Sequence, residues 1–288
     1  MSRVVTSVDI LRGRRPEWEP WLLVIDEAMR EAASGGWQSA VPADTQRAPS
    51  SPWIDGTTIV VDPDSVKRYA KRLFDTASRI GTASMTTLKG ATQGTDPIAL
   101  FEASLRRDPT SQLAAACHAD AEAFQAVVSL VAWPFLQACN RRCASSQREA
   151  WTHGYCPVCA GWPVFAEVRG IERSRYLRCG CGAAWLSQPL LCAHCGNSDH
   201  DALRSLMPES ADRAGSIEAC RKCSGYVKVF TRLQGCAPEA VMLEDLASVD
   251  LDVAAIEQGY LRRSGLACPL DVTVVPASSA GRFLSWNP

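Results

Sequence analysis

Four close cysteine pairs constrain this chain more than any other feature. Eight of its 13 cysteines lie between positions 156 and 223, as Cys156-x-x-Cys159, Cys179-x-Cys181, Cys192-x-x-Cys195 and Cys220-x-x-Cys223. The spacers are 19 residues between the first two pairs and 24 between the last two, each long enough for a β-hairpin. In a Cys-x-x-Cys turn the chain reverses sharply, two thiolates converge on one point, and backbone N–H groups face the sulfurs. The residue after each pair is small: Ala160, Gly182, Gly196 and Ser224. Such a turn favours residues that tolerate positive φ. Two turns together complete a tetrahedral set of four sulfurs. The pattern therefore predicts two zinc-ribbon or rubredoxin-like modules in tandem, with Cys156, Cys159, Cys179, Cys181, Cys192, Cys195, Cys220 and Cys223 as metal ligands.

Joining each pair to the next closes the shorter loops and is entropically the cheaper pairing. A cross-braced arrangement, first pair with third, is the alternative. A four-sulfur set accepts iron or zinc, so two metal ions per chain are expected, of a kind that the spacing does not choose. A structural zinc contributes roughly 10–16 kcal/mol to folding, and ribbons this small have too little core to fold without one. Four cysteines leave no open coordination position, so hydrolytic chemistry is not expected. His153 and His194, beside and within these turns, are expected at the surface rather than as ligands. Cys117, Cys139 and Cys143 are expected as packing residues, while Cys236 and Cys268 have no assigned place.

Ahead of the cysteines the pattern is helical. Apolar residues recur from Glu17 to Ala33; a helix capped by Asp64 or Ser65 runs to Gly81; residues 97–106 form another. The stretch from Thr110 to Cys143 carries one long apolar stripe, broken or kinked at Pro134. Residues 39–56 read as a loop. β-type runs follow at 163–168, 174–178 and 225–232, helical spacing returns after 238, and the tail from Cys268 shows little pattern. The expected fold is α+β: an all-helical domain over 1–148, a first rubredoxin-like module over 149–188, a second over 189–236, and a C-terminal helix and tail over 237–288. The formal net charge of −1 gives no general pull toward nucleic acid or anionic membrane. No run approaches 18 apolar residues, and MSRVVTSVDILRGRRPEWEPW lacks the apolar core of a secretory signal. A cytoplasmic protein without membrane insertion is expected, in a compartment that keeps thiols reduced.

The motifs CPVC with Pro163 and Val164 after it, RYLRC with Trp185 after it, CAHCGNSD, EACRKCSGYVKVF and DLASVDLDVAAIEQGYLRRS together resemble the FdhE family of formate dehydrogenase accessory proteins. The resemblance is specific over 151–264 and reaches the helical first half only in outline. It implies a cytoplasmic, non-enzymatic accessory protein or chaperone, required to make active respiratory formate dehydrogenase. It also implies binding to the catalytic subunit of that enzyme before export, and metal, chiefly iron, at the eight cysteines.

One departure stands out. The family's second pair is Cys-x-x-Cys, whereas Cys179-Gly180-Cys181 is one residue short. The first site is accordingly expected to be the weaker or more labile of the two. Two rival readings remain. A nucleic-acid-binding ribbon would need a basic face, and residues 156–230 carry nine Arg or Lys against seven Asp or Glu. Their cluster at Arg169, Arg173, Arg175 and Arg178 reads as a solvated hairpin edge. A rubredoxin-like electron carrier would need reducible iron.

Overall fold

A computed structural model describes residues 7–43, 50–143, 151–207 and 215–277. The expected boundary at 148/149 and the last residues of the tail lie outside them. Ten α-helices and eight strands occur among the described residues. The helices are α1 (Val8–Arg14), α2 (Glu19–Ala33), α3 (Pro63–Ile80), α4 (Ala83–Thr86), α5 (Pro97–Arg106), α6 (Ser111–Ala116), α7 (Ala121–Val128), α8 (Trp133–Cys143), α9 (Val241–Leu246) and α10 (Val249–Glu257). The strands are β1 (Thr57–Val61), β2 (Phe165–Arg169), β3 (Ser174–Arg178), β4 (Ala184–Leu186), β5 (Leu203–Leu206), β6 (Gly215–Cys220), β7 (Tyr226–Arg232) and β8 (Val272–Pro276). They group into two compact units, neither continuous in sequence. One takes residues 1–22, 44–55 and 136–270; the other takes 23–43, 56–135 and 271–288.

The second of these is the helical unit. Its core includes Tyr69, Leu73, Phe74, Phe101, Phe124 and Phe135, all buried. Phe101 stacks on Trp37 at 5.8 Å between ring centroids and meets Phe135 edge-on at 5.5 Å. The 110–143 stretch is three helices rather than one. His118 adopts φ 53°, and Asp120 then caps α7 by accepting from the Ala123 N–H at 2.9 Å, so the ladder restarts there. Pro134 does not break a helix. It sits in the first turn of α8, where its missing N–H costs nothing. Pro63 does the same for α3, whose cap is Asp62 rather than Asp64 or Ser65. Residues 121–143 are the one described stretch apolar enough to cross a bilayer, and 78% of its most apolar 18-residue window is buried in the fold.

The domain expected to be all-helical, over 1–148, is not purely helical. β1 pairs in parallel with β8, Thr57 opposite Val272 through Val61 opposite Pro276. TTIVV and VTVVP are β-branched runs suited to a half-buried pleated surface, and both show inward residues alternating with outward ones. The patternless tail therefore supplies a strand to the helical unit.

The metal-bearing unit is built on one six-stranded sheet, in the order β4-β3-β2-β7-β6-β5. Each ribbon contributes an antiparallel three-stranded meander. β2 and β7 join the two meanders in parallel, Phe165 opposite Lys228 through Arg169 opposite Arg232. The tandem modules thus share a sheet, which leaves neither central strand with an open edge. α9 and α10 cover one face, where Val241, Leu251 and Ala255 pack with Phe165, Ile217, Tyr226 and Phe230.

Candidate metal centres

The sheet brings the eight paired cysteines into two sets of four. Cys156, Cys159, Cys179 and Cys181 form the first; Cys192, Cys195, Cys220 and Cys223 form the second. Within each set the Sγ atoms lie within 4.8 Å of one another. The grouping follows the sequential pairing and not the cross-braced one. The sulfurs stand 3.6 Å apart in Cys156–Cys181 and in Cys159–Cys179, 3.7 Å in Cys192–Cys223 and 3.8 Å in Cys195–Cys220. Four sulfurs each ~2.3 Å from a central tetrahedral ion stand ~3.8 Å apart. The separations fit that geometry and are far from the ~2.05 Å of a disulfide.

The backbone explains why the sulfurs converge. In all three Cys-x-x-Cys knuckles the first cysteine's N–H bonds to the carbonyl five residues on: Cys156 to Gly161, Cys192 to Asn197 and Cys220 to Gly225, each at 2.9 Å. The residue after the second cysteine is left-handed, at φ 56° for Ala160, 68° for Gly196 and 54° for Ser224. The Cys179-Gly180-Cys181 knuckle makes the same turn one residue shorter. Its closure runs from the Cys179 N–H to the Ala183 carbonyl at 3.0 Å, and Gly182 takes φ 90°. The short pair thus turns more tightly and still delivers both sulfurs. Backbone N–H groups also address the sulfurs, as Val158 does to Cys156 Sγ at 3.3 Å.

Burial and neighbouring thiols favour the neutral form at several of these cysteines, and a bound cation would favour the thiolate. Burial pushes the Cys156 thiol far up. Hydrogen bonds from its three neighbouring thiols do the same to Cys181, with burial adding to them. Burial also raises Cys192. At Cys220 burial opposes the thiolate, but the N–H groups of Cys223 and Lys222 outweigh it and the thiol is lowered. Four adjoining thiolates need a bound cation to offset their charge, and iron or zinc would supply it.

The two sets differ in exposure. Cys156, Cys159, Cys179 and Cys181 are all 2% exposed or less. In the second set Cys195 is exposed and Cys223 half-buried. Spacing carries no sign of this difference, because the covering groups are backbone atoms and distant side chains. The Trp53 N–H bonds to the Pro157 carbonyl at 2.7 Å, and the Ala267 N–H to the Ala160 carbonyl at 2.8 Å. A Cβ on Gly182 would sit 2.8 to 3.0 Å from atoms of Pro238, Asn140 and Gln137, so the shorter knuckle is closely covered.

His194 is not a surface residue. Its Nε2 lies 3.0 Å from the Tyr226 carbonyl, its ring meets Trp162 edge-on, and burial lowers its pKa. Both unassigned cysteines have places in this unit. The Cys236 N–H donates to Glu167 at 2.9 Å, and burial pushes its thiol up to about 12. Cys268 hydrogen-bonds to Tyr155, the residue before the first ligand.

The arginine cluster is not a solvated edge. Arg175 and Arg178 are buried. Arg178 and Arg169 both donate to Glu167, at 3.1 and 3.0 Å, while Arg175 donates to Glu218 at 2.6 Å. Of the four, only Arg173 is exposed. On the other half of the sheet, fully buried Lys228 reaches Asp252 at 2.7 Å and the Asp245 carbonyl at 2.8 Å. Tyr226 and Arg262 complete that network through Asp252.

The family described as FdhE, C-terminal domain, matches residues 190–268. A protein FdhE homolog of Aquifex aeolicus is 37% identical over 122 residues, 40% of this chain and 42% of that protein. A homolog of Pseudomonas aeruginosa is 36% identical over 116 residues, 38% of this chain and 37% of its own. Protein FdhE of Escherichia coli O127:H6 is 35% identical over 113 residues, 38% of this chain and 36% of its own. The chain thus spans about two fifths of the length of the curated relatives it matches. The crystal structure of the FdhE protein from Pseudomonas aeruginosa has the same fold, with a TM-score of 0.56 and 20% identity over 94% of this chain and 97% of that one. The chain is thus similar to FdhE proteins in sequence over its cysteine-rich part, and matches the C-terminal domain of that family over residues 190–268.

Proposed function

We propose that this chain is a cytoplasmic accessory protein for the maturation of respiratory formate dehydrogenase, that it binds one metal ion in each four-cysteine set, and that it engages the enzyme's catalytic subunit. The observation that carries the reading is the pair of four-cysteine sets on one sheet, set within a sequence and fold of FdhE type. Cys156, Cys159, Cys179 and Cys181 would hold one ion, and Cys192, Cys195, Cys220 and Cys223 the other. The family resemblance favours iron, and zinc satisfies the same donors. Four sulfurs around each ion leave it coordinatively closed, so the role we infer is binding rather than catalysis. The internal pairing of the arginine cluster removes the basic face that a nucleic-acid reading would need.

The test is co-purification. The tagged chain is recovered from its own host, grown oxygen-limited with formate, beside a bait carrying both Cys192→Ser and Cys195→Ser. The expected result is recovery of the formate dehydrogenase catalytic subunit by the native bait and its loss with the altered one. Recovery of nucleic acid or an unrelated redox enzyme in its place would overturn the reading.

A further inference from the structure

We propose that the second four-cysteine set is an exchange site, which takes up and gives up its ion through Cys195, whereas the first set holds its ion permanently. This rests on the reading that both sets bind metal, and goes beyond it by giving the two ions different fates.

The first set is roofed at both knuckles. The Trp53 and Ile54 N–H groups bond to the Pro157 and Val158 carbonyls at 2.7 and 3.2 Å. Gly161 bridges Leu266, and the Ala267 N–H reaches the Ala160 carbonyl. The Cys179–Gly182 knuckle lies under Gln137, Asn140 and Pro238. An incoming ligand can reach that ion only after these contacts open.

Among the described residues the second set is braced at both knuckles and left open at Cys195. The Leu261 N–H bonds to the Ser224 carbonyl at 2.7 Å, and Arg263 donates to the Cys223 carbonyl at 2.9 Å. These hold one knuckle in shape; at the other, Gly154 lies against the Ala193 backbone and Trp162 against His194, and this cover stops short of Cys195. Cys195 is exposed, and Gly196 beside it has open space around its missing Cβ. Leu190 and Leu261, near the two knuckles in sequence and bonding, are 74% and 60% exposed. Arg221 and Lys222, inside the fourth pair, are exposed too. Neither has a carboxylate partner among the described residues. A mouth with an accessible ligand sulfur and exposed cations suits a soft, anionic incoming donor such as a thiolate or a chelating carboxylate.

The step is ligand substitution. The bond from the ion to Cys195 Sγ breaks, a bond from the ion to the incoming donor forms, and the freed thiolate takes a proton from water. No electron changes hands. The remaining three sulfurs follow in turn, while the first ion stays in place.

The experiment uses the full-length chain reconstituted with zinc, and challenges it with EDTA. Native mass spectrometry follows the ions, and N-ethylmaleimide labelling with peptide mapping follows the thiols. Two ions at the start, then an accumulating one-ion species labelled at Cys192, Cys195, Cys220 and Cys223 and protected at the other four, is the expected outcome. Cys195→Ser should speed loss of that one ion by at least the ~10–100-fold that removing an outer partner of a metal ligand costs in affinity. It should leave the first ion's rate unchanged. Both ions leaving together, or labelling of Cys156, Cys159, Cys179 or Cys181 first, would overturn the exchange assignment alone. Fewer than two ions on the reconstituted chain would overturn the metal reading, and this assignment with it.

Discussion

The helical unit and the metal-bearing unit solve the same problem with different materials. In the helical unit aromatic rings meet in series: Trp37, Phe101 and Phe135 within 5.8 Å of their neighbours, and Phe74 against Phe124 at 5.2 Å. Burial of side chains this large supplies most of what such a unit needs. The metal-bearing unit has an apolar layer where α9 and α10 meet the sheet, and buries Leu177 and Trp185 beside its first knuckles. Its knuckles are held by a few backbone hydrogen bonds and by sulfurs 3.6 to 3.8 Å apart. One unit is a packing problem, while the other becomes a coordination problem wherever the sheet ends in a turn.

Removing both ions should break the comparison open with the largest effect. At roughly 10–16 kcal/mol per structural ion, β2 to β7 should lose hydrogen-exchange protection in the metal-free chain while α3 and α5 keep theirs. Equal loss in both units would mean that the helical unit also depends on metal. The converse change is Phe101→Ala, which empties a buried aromatic site and should cost about 3–5 kcal/mol. It should lower the unfolding midpoint of the helical unit and leave two ions per chain by elemental analysis.

Lys228→Met tests a polar element of the metal-bearing unit. Lys228 is fully buried against Asp252 and the Asp245 carbonyl, so its removal strands buried acidic groups and should cost about 3–5 kcal/mol in denaturant unfolding. A loss below about 1 kcal/mol would show that Arg262 alone satisfies both aspartates. The smallest effect separates the two sites. Gly182→Ala and Gly196→Ala both force a side chain into left-handed backbone, at about 1–2 kcal/mol. At Gly182 the new Cβ also meets Pro238, Asn140 and Gln137, whereas at Gly196 it meets nothing within 4 Å. The urea midpoint of the metal-loaded protein should therefore fall further for Gly182→Ala. Equal shifts would show that the roof over the first site yields freely.

Much of the metal-bearing unit was legible, because coordination imposes spacing. The four pairs, their sequential grouping and the positive-φ positions Ala160, Gly182, Gly196 and Ser224 all follow from what one ion demands of a short turn. The relative openness of the sites was not legible. The short Cys179-Gly180-Cys181 pair pointed to a weaker first site, but the cover over that site comes from Trp53, Ile54, Gln137, Asn140 and Ala267, residues whose roles no local pattern announces. The arginine cluster was not legible either. Arg175 and Arg178 look like surface charge until Glu218 and Glu167 are placed beside them by strand pairing. In the helical unit periodicity found the long helices, but no helical template recognises TTIVV or VTVVP, which acquire meaning only as a pair.

That last pairing bears on the order in which the chain is made. β1 belongs to the part of the sequence translated early, and its only strand partner among the described residues, β8, is translated after every metal ligand. The helical unit thus stays incomplete on the ribosome until both cysteine ribbons have emerged. A fragment ending near residue 148 would leave Thr57–Val61 as a bare edge, open to pairing with another copy of itself.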